Sequence, residues 1–261
     1  MLSVRNLEKS FEASGRKLRA IQNVDLDVGH GEFLTILGPS GCGKSTFLHI
    51  VGGFETATGG SILMDGKAVS GPGPERGMMF QDLSLYPWLT VLQNVCWPME
   101  IRGLGKEERV ARAREILSLV GLGRFANLYP GELSGGMKQR VALARLFALD
   151  PKIMLMDEPF GALDAQTREL LQEELQSIWR RQKKTAMLVT HDIDEAIFLG
   201  TRVIVFTAGP GRIKADLRIP AGTERDADFR RSPEYNALRI ELWDLVREEV
   251  TKAKMHAEEL V

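Results

Sequence analysis

A glycine-rich stretch between an apolar run and a helical segment constrains the fold of this chain more than any other feature. The stretch is Gly38-Pro39-Ser40-Gly41-Cys42-Gly43-Lys44-Ser45, and it matches the pattern G-x-x-x-x-G-K-[ST]. It follows the predicted strand Phe33–Leu37 and opens the predicted helix Ser45–Val51. Glycines let such a loop curl so that backbone N–H groups point inward at phosphate oxygens, and the helix N-terminus adds positive potential. The sequence therefore predicts a phosphate-binding loop, against the alternative of a glycine-rich turn with a chance lysine.

Three side chains of this loop have predicted properties of their own. Lys44 supplies a point charge for the β- and γ-phosphates of a nucleotide, and the Ser45 hydroxyl can ligate Mg²⁺. The predicted nucleotide contacts are the eight loop residues and Thr46. Positive potential from Lys44 and the helix end should favour the thiolate of Cys42 and make it reactive toward maleimides. The alternative is that Cys42 packs inward as a small, inert hydrophobe.

A second apolar run ends in two carboxylates. Ile153–Met156 is predicted to be a buried strand, and Asp157 and Glu158 follow it directly. Two unpaired charges are costly after four buried apolar residues, so a cation should meet them. We expect Asp157 to hold the shell of a nucleotide-bound Mg²⁺ and Glu158 to polarise the attacking water beside the γ-phosphate. The alternative is a strand that simply ends at a polar loop.

Apolar strands alternate with helical segments along much of the chain. This alternation predicts an α/β fold with a parallel sheet covered on both faces. The predicted strands are Leu2–Leu7, Ala20–Val28, Phe33–Leu37, Ser61–Met64, Gly77–Phe80, Ile153–Met156, Ala186–Val189 and Val203–Phe206. The predicted helices are Ser45–Val51, Val91–Met99, Lys106–Val120, Ser134–Leu149 and Ala165–Gln182, with an amphipathic tail helix that places Leu238, Leu242, Leu245, Val246 and Val250 on one face. The helices between about 83 and 150 predict a helical subdomain inserted into a β-rich core.

Composition argues against several classes of protein. Lys+Arg number 34 and Asp+Glu 35, a formal net charge of -1, so no nucleic-acid partner is expected. The two cysteines, Cys42 and Cys96, argue against a disulfide framework and for a reducing cytosol. The first residues lack the pattern of a secretory signal, and no apolar run approaches the roughly 20 residues that span a bilayer. We therefore expect that any work at a membrane requires docking onto a protein that spans it.

The stretch Leu133-Ser134-Gly135-Gly136-Met137 begins a predicted helix. Ser134 occupies the N-cap position, and the glycines expose N–H groups to an anion, although an ordinary capped helix is the alternative. The letters LSGG are the signature of the ATP-binding cassette family, and from about Leu2 to Leu217 this chain resembles that family. Met137 stands where the family usually has Gln, which leaves the Ser134, Gly135 and Gly136 contacts available.

Further motifs of that family follow in order. Gln81 matches the Q-loop, which senses Mg²⁺ and the transmembrane partner, and His191 matches the switch histidine at the γ-phosphate. Asp164 resembles the D-loop residue, in a motif where Ser is more usual than Gly161. Phe11 matches the aromatic residue that stacks on adenine, although a Phe near a strand end is as often part of the core. The resemblance thus implies catalytic roles for Lys44, Gln81, Glu158 and His191, metal contacts at Ser45, Gln81 and Asp157, and further nucleotide contacts at Phe11, Ser134, Gly135, Gly136 and Asp164.

The resemblance also implies an architecture and a set of partners. The fold would be a P-loop NTPase of the ABC ATPase type, with a RecA-like parallel-sheet core, an N-terminal antiparallel β region and the inserted helical subdomain. Residues 1–220 would form the nucleotide-binding domain and 221–261 a short helical tail. A homodimer, or a pair of cassettes, would form head to tail, with ATP and Mg²⁺ sandwiched between the Lys44 loop of one copy and Ser134 of the other. It would drive integral membrane permease subunits from the cytoplasmic face of the inner membrane, peripherally, with an extracytoplasmic solute-binding protein acting indirectly.

Several stretches resemble a narrower group, the importers of nitrate, taurine, alkanesulfonates and similar small anions. These stretches are Gly73–Gly77, Phe80–Asp82, Leu85–Val91, the Met of LSGGM, His191–Ala196 and Gly209–Ile213. The transported solute never touches such a subunit, so its residues do not identify the solute. Trp88 and Trp97 follow Gln81, where exposed aromatics suit a groove for a permease helix. Groove and core are open alternatives for Trp88, whereas Trp97 is expected in the core.

Three other kinds of protein share the phosphate loop. A soluble cassette ATPase of DNA repair or the ribosome usually carries a long coiled-coil insertion or two cassettes in one chain, and neither is present here. A GTPase would have an Asn-Lys-x-Asp guanine-binding motif, which the sequence lacks. A small-molecule kinase on the same loop would explain neither LSGG nor His191.

Overall fold

The structure, a computed structural model, describes residues 1–13, 16–161, 163–220, 225 and 227–258. Its strands are β1 (Leu2–Ala13), β2 (Arg16–Val28), β3 (Phe33–Leu37), β4 (Gly59–Met64), β5 (Lys67–Ala68), β6 (Arg76–Met79), β7 (Ile153–Asp157), β8 (Thr185–Val189), β9 (Arg202–Phe206) and β10 (Ile213–Arg218). Its α-helices are α1 (Lys44–Gly52), α2 (Val91–Ile101), α3 (Lys106–Leu119), α4 (Gly135–Leu149), α5 (Ala165–Gln182), α6 (Ile193–Leu199), α7 (Ala227–Arg231) and α8 (Pro233–Glu258). The predicted α/β class is confirmed.

The larger sheet has six strands in the order β10-β9-β3-β8-β7-β6. All neighbouring pairs are parallel except β10 with β9, which are antiparallel. The strands of its centre are apolar because both faces are covered: in β3, Phe33 and Leu37 pack toward one buried cluster, and Leu34 and Ile36 toward the other. The first cluster lies under helices α2–α6, and the second lies between the sheet, α1 and the N-terminal strands.

The N-terminal strands form a second sheet in the order β2-β1-β4-β5. Its pairs are antiparallel, with Leu2 opposite both Val28 and Met64. The inward side chains, Leu2 and Val28 among them, are almost fully buried against the second cluster. The predicted N-terminal antiparallel β region is therefore confirmed.

Three helices separate β6 from β7 along the chain. Helix α2 begins with a reciprocal cap, in which Thr90 accepts from the Gln93 N–H and Gln93 accepts from the Thr90 N–H. The fully buried Asn94 ties this helix to the preceding loop by donating to the carbonyls of Tyr86 and Leu89. The position of these helices agrees with a helical insertion, whose limits near 83 and 150 stay predictions.

The chain ends in helices that cover the edge of the larger sheet. The predicted tail helix is α8, with Leu242 fully buried and the other predicted inward residues partly buried. Strand β10 and the short helices α6 and α7 were not predicted from the sequence. Residues 221–224, where the predicted boundary between domain and tail falls, lie outside the described residues. No helix in the described ranges combines the length and apolar character needed to cross a membrane.

The structure contradicts the predicted position of one of the two tryptophans that follow Gln81. Trp88 is 71% exposed, which excludes the core alternative, and its place in a permease groove stays a prediction. Trp97 is 38% exposed, so its predicted place in the core is wrong. The reason is that its ring packs edge-on against the Tyr86 ring, with a centroid distance of 5.7 Å, at the wall of an open groove.

Candidate nucleotide site

Four loops with predicted site residues leave the same edge of the larger sheet. They follow β3, β6, β7 and β8, which are mutually parallel, so their carboxyl ends point the same way. In open parallel sheets, ligands bind at this edge. The topology alone therefore brings the phosphate loop, Gln81, the Asp157–Glu158 pair and His191 to one side of the molecule.

The phosphate loop runs from β3 into α1 with no side chain capping the helix. Gly43 occupies the N-cap position with φ 102°, and a Cβ atom there would lie 2.6 Å from the Ala20 carbonyl oxygen, so only glycine fits. The first N–H groups of α1 are thus left to face an anion. Lys44 is buried, and its Nζ donates to the carbonyls of Gly38 and Pro39 at 2.8 and 2.9 Å. The ammonium group is therefore held inside the curl of the loop.

Cys42 does not have the reactive thiol that the sequence suggested. Its side chain is 1% exposed and belongs to the buried cluster between the two sheets. Burial raises the pKa of the Cys42 thiol, and the nearby Lys44 ammonium offsets this only in part. The expectation of a favoured, accessible thiolate is wrong, and the inward-packed alternative holds. Any contact of Cys42 with a nucleotide must come from its backbone.

Ser45 and Asp157 join the phosphate loop to the end of β7. The Ser45 hydroxyl donates to Asp157 Oδ1 at 2.9 Å, and Asp157 is 3% exposed. Burial raises the pKa of Asp157, and a cation beside it would favour the charged form. A hydroxyl and a carboxylate are hard oxygen donors of the kind that Mg²⁺ takes alongside nucleotide phosphates. The residues present therefore fit a magnesium ion.

His49 is a neighbour of this pair that the sequence analysis missed. Its Nε2 lies 3.6 Å from Asp157 Oδ2, and this buried atom has no hydrogen-bond partner among the residues that the structure describes. Its ring lies 5.6 Å from the Phe80 ring, which directly precedes Gln81. The sequence contained a signal for His49, because residues four apart share a helix face and His49 stands four positions after Ser45.

Glu158 and His191 form the second pair of the site. His191 Nδ1 lies 3.3 Å from Glu158 Oε2, and the side chains are 61% and 21% exposed. Glu158 has φ 47°, a left-handed conformation that is costly for a non-glycine residue and is found most often at functional sites. Its N–H donates to the Val189 carbonyl at 2.9 Å, which fixes this turn against β8. The strained turn leaves the Glu158 carboxylate beside His191 at the open edge.

Two predicted site residues have no contact with these pairs. Gln81 is exposed, one residue beyond Phe80 and two beyond the end of β6. Phe11 is half-buried on β1, and Lys9 Nζ lies 4.6 Å from the centroid of its ring. Lys9 itself donates to Glu55 Oε1 and to the Thr56 carbonyl, both at 2.7 Å. One face of the Phe11 ring is therefore occupied by a fixed cation.

The signature residues lie at the start of α4. Ser134 is the N-cap, as predicted, and its hydroxyl accepts from the Met137 N–H at 3.3 Å. Ser134 and Gly135 are exposed. In the described ranges, no hydrogen bond joins Ser134 or Gly135 to the phosphate loop. These residues therefore present an open helix start that their own chain does not complete.

Asp164 begins helix α5 and lies between the signature and the switch loop. Its carboxylate accepts from the Thr167 N–H at 3.0 Å, and this backbone hydrogen bond lowers its pKa. Arg168, one turn later, donates to the Leu163 carbonyl at 3.0 Å and to Asp192 at 3.3 Å. The loop before α5 is thus tied to the residue that follows His191. Ala162 lies outside the described residues.

Glu195 is a buried carboxyl group behind the switch loop that the sequence analysis did not identify. It is 3% exposed, and burial raises its pKa to about 7. Gln172 Nε2 donates to Glu195 Oε1 at 3.2 Å, and the Thr190 hydroxyl is a second hydrogen-bond partner. Its position four residues after His191, among apolar neighbours, is the signal that could have found it.

Comparison with known proteins agrees with this geometry. The ABC transporter family model matches residues 21–161. An uncharacterized ABC transporter ATP-binding protein of Methanocaldococcus jannaschii is 50% identical over 252 residues, 97% of this chain and 93% of that protein. A taurine import ATP-binding protein of Pseudomonas aeruginosa is 45% identical, with 93% of this chain and 94% of that protein covered. A nitrate import ATP-binding protein of a Synechocystis species is 44% identical, with 94% and 95% covered.

Solved structures show the same fold. The dimeric bacterial ABC transporter cassette MJ0796 has a TM-score of 0.78 and 36% identity, with 85% of this chain and all of that chain covered. A dimeric post-hydrolysis state of the same cassette, bound to ADP and Pi, has a TM-score of 0.77 and 35% identity.

Proposed function

Because this chain belongs to the ABC transporter family and is an ATP-binding, ATP-hydrolysing subunit, we propose that the residues at the carboxyl edge of its parallel sheet perform the hydrolysis. One observation carries the proposal: two consecutive residues at the end of β7 lie against two different partners. Asp157 meets Ser45 at 2.9 Å, and Glu158 meets His191 at 3.3 Å. We assign this chemistry to residues 1–220, with 221–261 as the tail.

Each residue of the site has one task in this proposal. Lys44 and the N–H groups from Gly38 to Thr46 bind the β- and γ-phosphates, since they supply the fixed positive charge. Glu158 orients the attacking water and accepts its proton. His191 contacts both the Glu158 carboxylate and the γ-phosphate and fixes their positions relative to each other. Phe11 stacks on the adenine with the ring face that Lys9 does not occupy.

A bound magnesium ion would supply positive charge that offsets the charge of the phosphates. Ser45 and Asp157 would hold it, and we propose that Gln81 would supply a further oxygen ligand from the loop after β6. Asp157 is buried beside a hydroxyl donor, and this arrangement favours a single orientation of its carboxylate. His49 Nε2 lies 3.6 Å from the other carboxylate oxygen, Oδ2.

The site is completed by a second copy in this proposal. Ser134 and Gly135 are exposed at this helix start and, with Gly136, make no hydrogen bond to the phosphate loop within the described ranges, and such a start binds anions. In a head-to-tail dimer they would lie on the nucleotide of the partner, with Asp164 at the interface. The dimeric state of the related cassette MJ0796 supports this arrangement.

The test of the proposed chemistry is Glu158→Gln. The amide keeps the shape of the side chain but does not accept a proton, so ATP binding should persist while turnover falls at least about 100-fold. The variant should also accumulate as an ATP-bound dimer, visible by gel filtration with ATP and Mg²⁺. Glu173→Gln, an exposed change of the same type on α5, is the matched control. Near-normal steady-state hydrolysis by the Glu158 variant contradicts the proposed role.

We further propose that a groove beside the Gln81 loop receives a helix of the membrane permease. The groove has a volume of about 830 Å³, and its walls are largely apolar, which suits an amphipathic helix. Its lining includes Phe54, Met79, Phe80, Leu83, Tyr86, Trp97, Ile101 and Leu146. Trp97→Ser should leave ATP hydrolysis by the isolated subunit unchanged and abolish co-purification with the permease. Trp243→Ser, at an exposed site on α8 outside the groove, should change neither.

The relatives suggest the class of solute. Those with named solutes include import proteins for taurine and nitrate. We therefore propose that this subunit, at the cytoplasmic face of the inner membrane, drives import of a small anion delivered by an extracytoplasmic binding protein. Uptake of labelled taurine and nitrate by cells with Glu158→Gln in place of the native residue tests this. Loss of uptake of either anion supports the proposal, and unchanged uptake of both contradicts it.

A further inference from the structure

We propose that the C-terminal helix α8 positions the switch histidine: Tyr235 and Arg239 hold Asp194 and thereby fix α6, the helix that begins two residues after His191. Tyr235 and Arg239 are positioning residues in this inference, since they act on His191 through α6. The inference rests on the proposed role of His191 in hydrolysis.

The contact between α8 and α6 centres on one carboxylate. Tyr235 Oη donates to Asp194 Oδ1 at 2.8 Å, and Arg239 Nε lies 3.0 Å from the same oxygen. Tyr235 is 3% exposed, and its hydroxyl also lies 3.3 Å from the Asp194 backbone carbonyl, so both of its acceptors belong to Asp194. Asp194 lies in the first turn of α6, where its charge complements the N-terminus of the helix.

Aromatic packing extends this contact over the rest of α6. The rings of Phe229 and Tyr235 meet edge-on, with a centroid distance of 5.3 Å, and both residues are buried. The Arg230 guanidinium lies 4.0 Å from the centroid of the Phe198 ring and donates to Gln172 Oε1 at 2.8 Å. Helices α7 and α8 therefore contact both ends of α6, and α7 also contacts α5.

Hydrogen bonds of the residues that flank His191 link its backbone to α6. The Asp192 carboxylate caps α6 by accepting from the Glu195 N–H at 3.1 Å, and the Asp192 N–H donates to the Thr190 hydroxyl at 3.0 Å. The two residues that flank His191 are thus tied to each other and to the helix. In the described part of the chain, the one polar contact of the His191 side chain is with Glu158. The position of the imidazole therefore depends on its backbone, and that backbone depends on α6.

The far end of α8 has an anchor of its own. Glu249 is 1% exposed and accepts from the Ala208 N–H at 2.8 Å, from Lys214 at 2.9 Å and from Lys252 at 2.7 Å. Because this anchor lies more than two helical turns from Tyr235, loss of one contact at Asp194 should leave α8 docked. The effect of such a loss should therefore be on the position of α6 and not on the presence of the tail.

The experiment uses three variants of the full-length protein. Tyr235→Phe removes only the hydroxyl, and Arg239→Gln removes only the charge. Arg247→Gln is the matched control, an exposed arginine on the same helix. We expect kcat for ATP hydrolysis to fall about three- to tenfold in each of the first two variants, since a small displacement of a positioned group is costly. The KM for ATP should be unchanged, because His191 acts after the phosphates are bound, and Arg247→Gln should match the native protein.

A double-mutant cycle separates positioning from a loss of stability. If Tyr235 acts through the Asp194 carboxylate, Tyr235→Phe should cause little further loss of kcat in the Asp194→Ala background, which lacks the side-chain acceptor. Native kcat in both tail variants overturns the inference, and so does a full further loss in the Asp194→Ala background. His191→Ala is measured in parallel. If it retains native turnover, the proposed role of His191 fails; if it loses turnover while both tail variants do not, only the present inference fails.

Discussion

Glu195→Gln should make the protein less sensitive to rising pH. Glu195 is a buried carboxyl group whose pKa is raised by burial to about 7, from an ordinary value of 4.5. The folded protein therefore holds this proton more tightly than the unfolded chain does. Between about pH 4.5 and pH 7 the folded state binds more protons, so the free energy of unfolding falls as the pH rises. Glutamine keeps the shape of the side chain and does not titrate.

The size of the effect on stability follows from the shift in the pKa of Glu195. A rise of the pKa from 4.5 to about 7 corresponds to about 3 kcal/mol at 1.36 kcal/mol per pH unit. Most of this, about 2 to 3 kcal/mol, is lost between pH 5 and pH 8. For a chain of this size, 1 kcal/mol shifts Tm by roughly 2–4 °C, which predicts a relative change of about 5–10 °C.

The assay is thermal unfolding of the native protein and the variant, each at pH 5 and pH 8. The measured quantity is the Tm of Glu195→Gln minus the Tm of the native protein, which cancels the titration of groups common to both. This difference should increase by about 5–10 °C from pH 5 to pH 8. Glu173→Gln, an exposed substitution, should show no change in the same difference.

Two outcomes would refute the reasoning about Glu195. A difference in Tm that is the same at pH 5 and pH 8 would mean that the carboxyl group is not held protonated by burial. A difference that decreases as the pH rises would mean that hydrogen bonds from Thr190 and Gln172 outweigh the burial.

Three further predictions concern the phosphate loop and the signature. Lys44→Ala should weaken binding of a fluorescent ATP analogue at least about tenfold, because it removes the cation held inside the loop; unchanged affinity and turnover would mean that the loop does not bind phosphate. Ser134→Arg should leave ATP binding to the monomer intact and abolish hydrolysis. Mixing this variant with Lys44→Ala should restore partial activity, since half of the composite sites in mixed dimers carry neither change. If mixing restores no activity, the result argues against independent head-to-tail sites. Maleimide should label neither Cys42 nor Cys96 at the rate of a free thiol, because both are buried and burial raises the pKa of each thiol; rapid labelling of Cys42, found by peptide mass mapping, would contradict its inward orientation.

The fold was predictable where the local pattern is strong. The apolar runs of the central strands and the long amphipathic α5 were predicted to within one or two residues. Strand β10 was missed because its residues alternate between partly buried and exposed and carry charges. It pairs with β9 along its length, and Arg202 on β9 donates to both carboxylate oxygens of Asp216. Such a contact depends on the sheet and has no local signal.

The candidate site was predictable as a set of motifs and less so as a geometry. Parallel strands bring their carboxyl ends together whatever their loops contain, so grouping Lys44, Asp157 and His191 follows from the alternation of elements. The orientation of a single side chain does not. Cys42 faces inward because the two sheets leave an apolar space behind the loop, and Trp97 lines a groove because neighbouring helices leave one open. Both are results of packing between segments distant in sequence.

The neighbouring carboxylates of β7 show how one strand end can serve two chemical tasks. Asp157 is the last residue of β7 and points toward α1. Burial raises its pKa there, and the Ser45 hydroxyl fixes one of its carboxylate oxygens. Glu158 adopts φ 47°, which rotates its side chain away from that pocket toward His191 and solvent. A carboxylate that is buried and fixed suits a cation, whereas a more exposed one beside an imidazole can orient water and accept a proton. In the proposed mechanism, this turn places the metal ligand and the general base on different sides at consecutive positions, and a glycine at 158 would adopt the same turn without supplying the base.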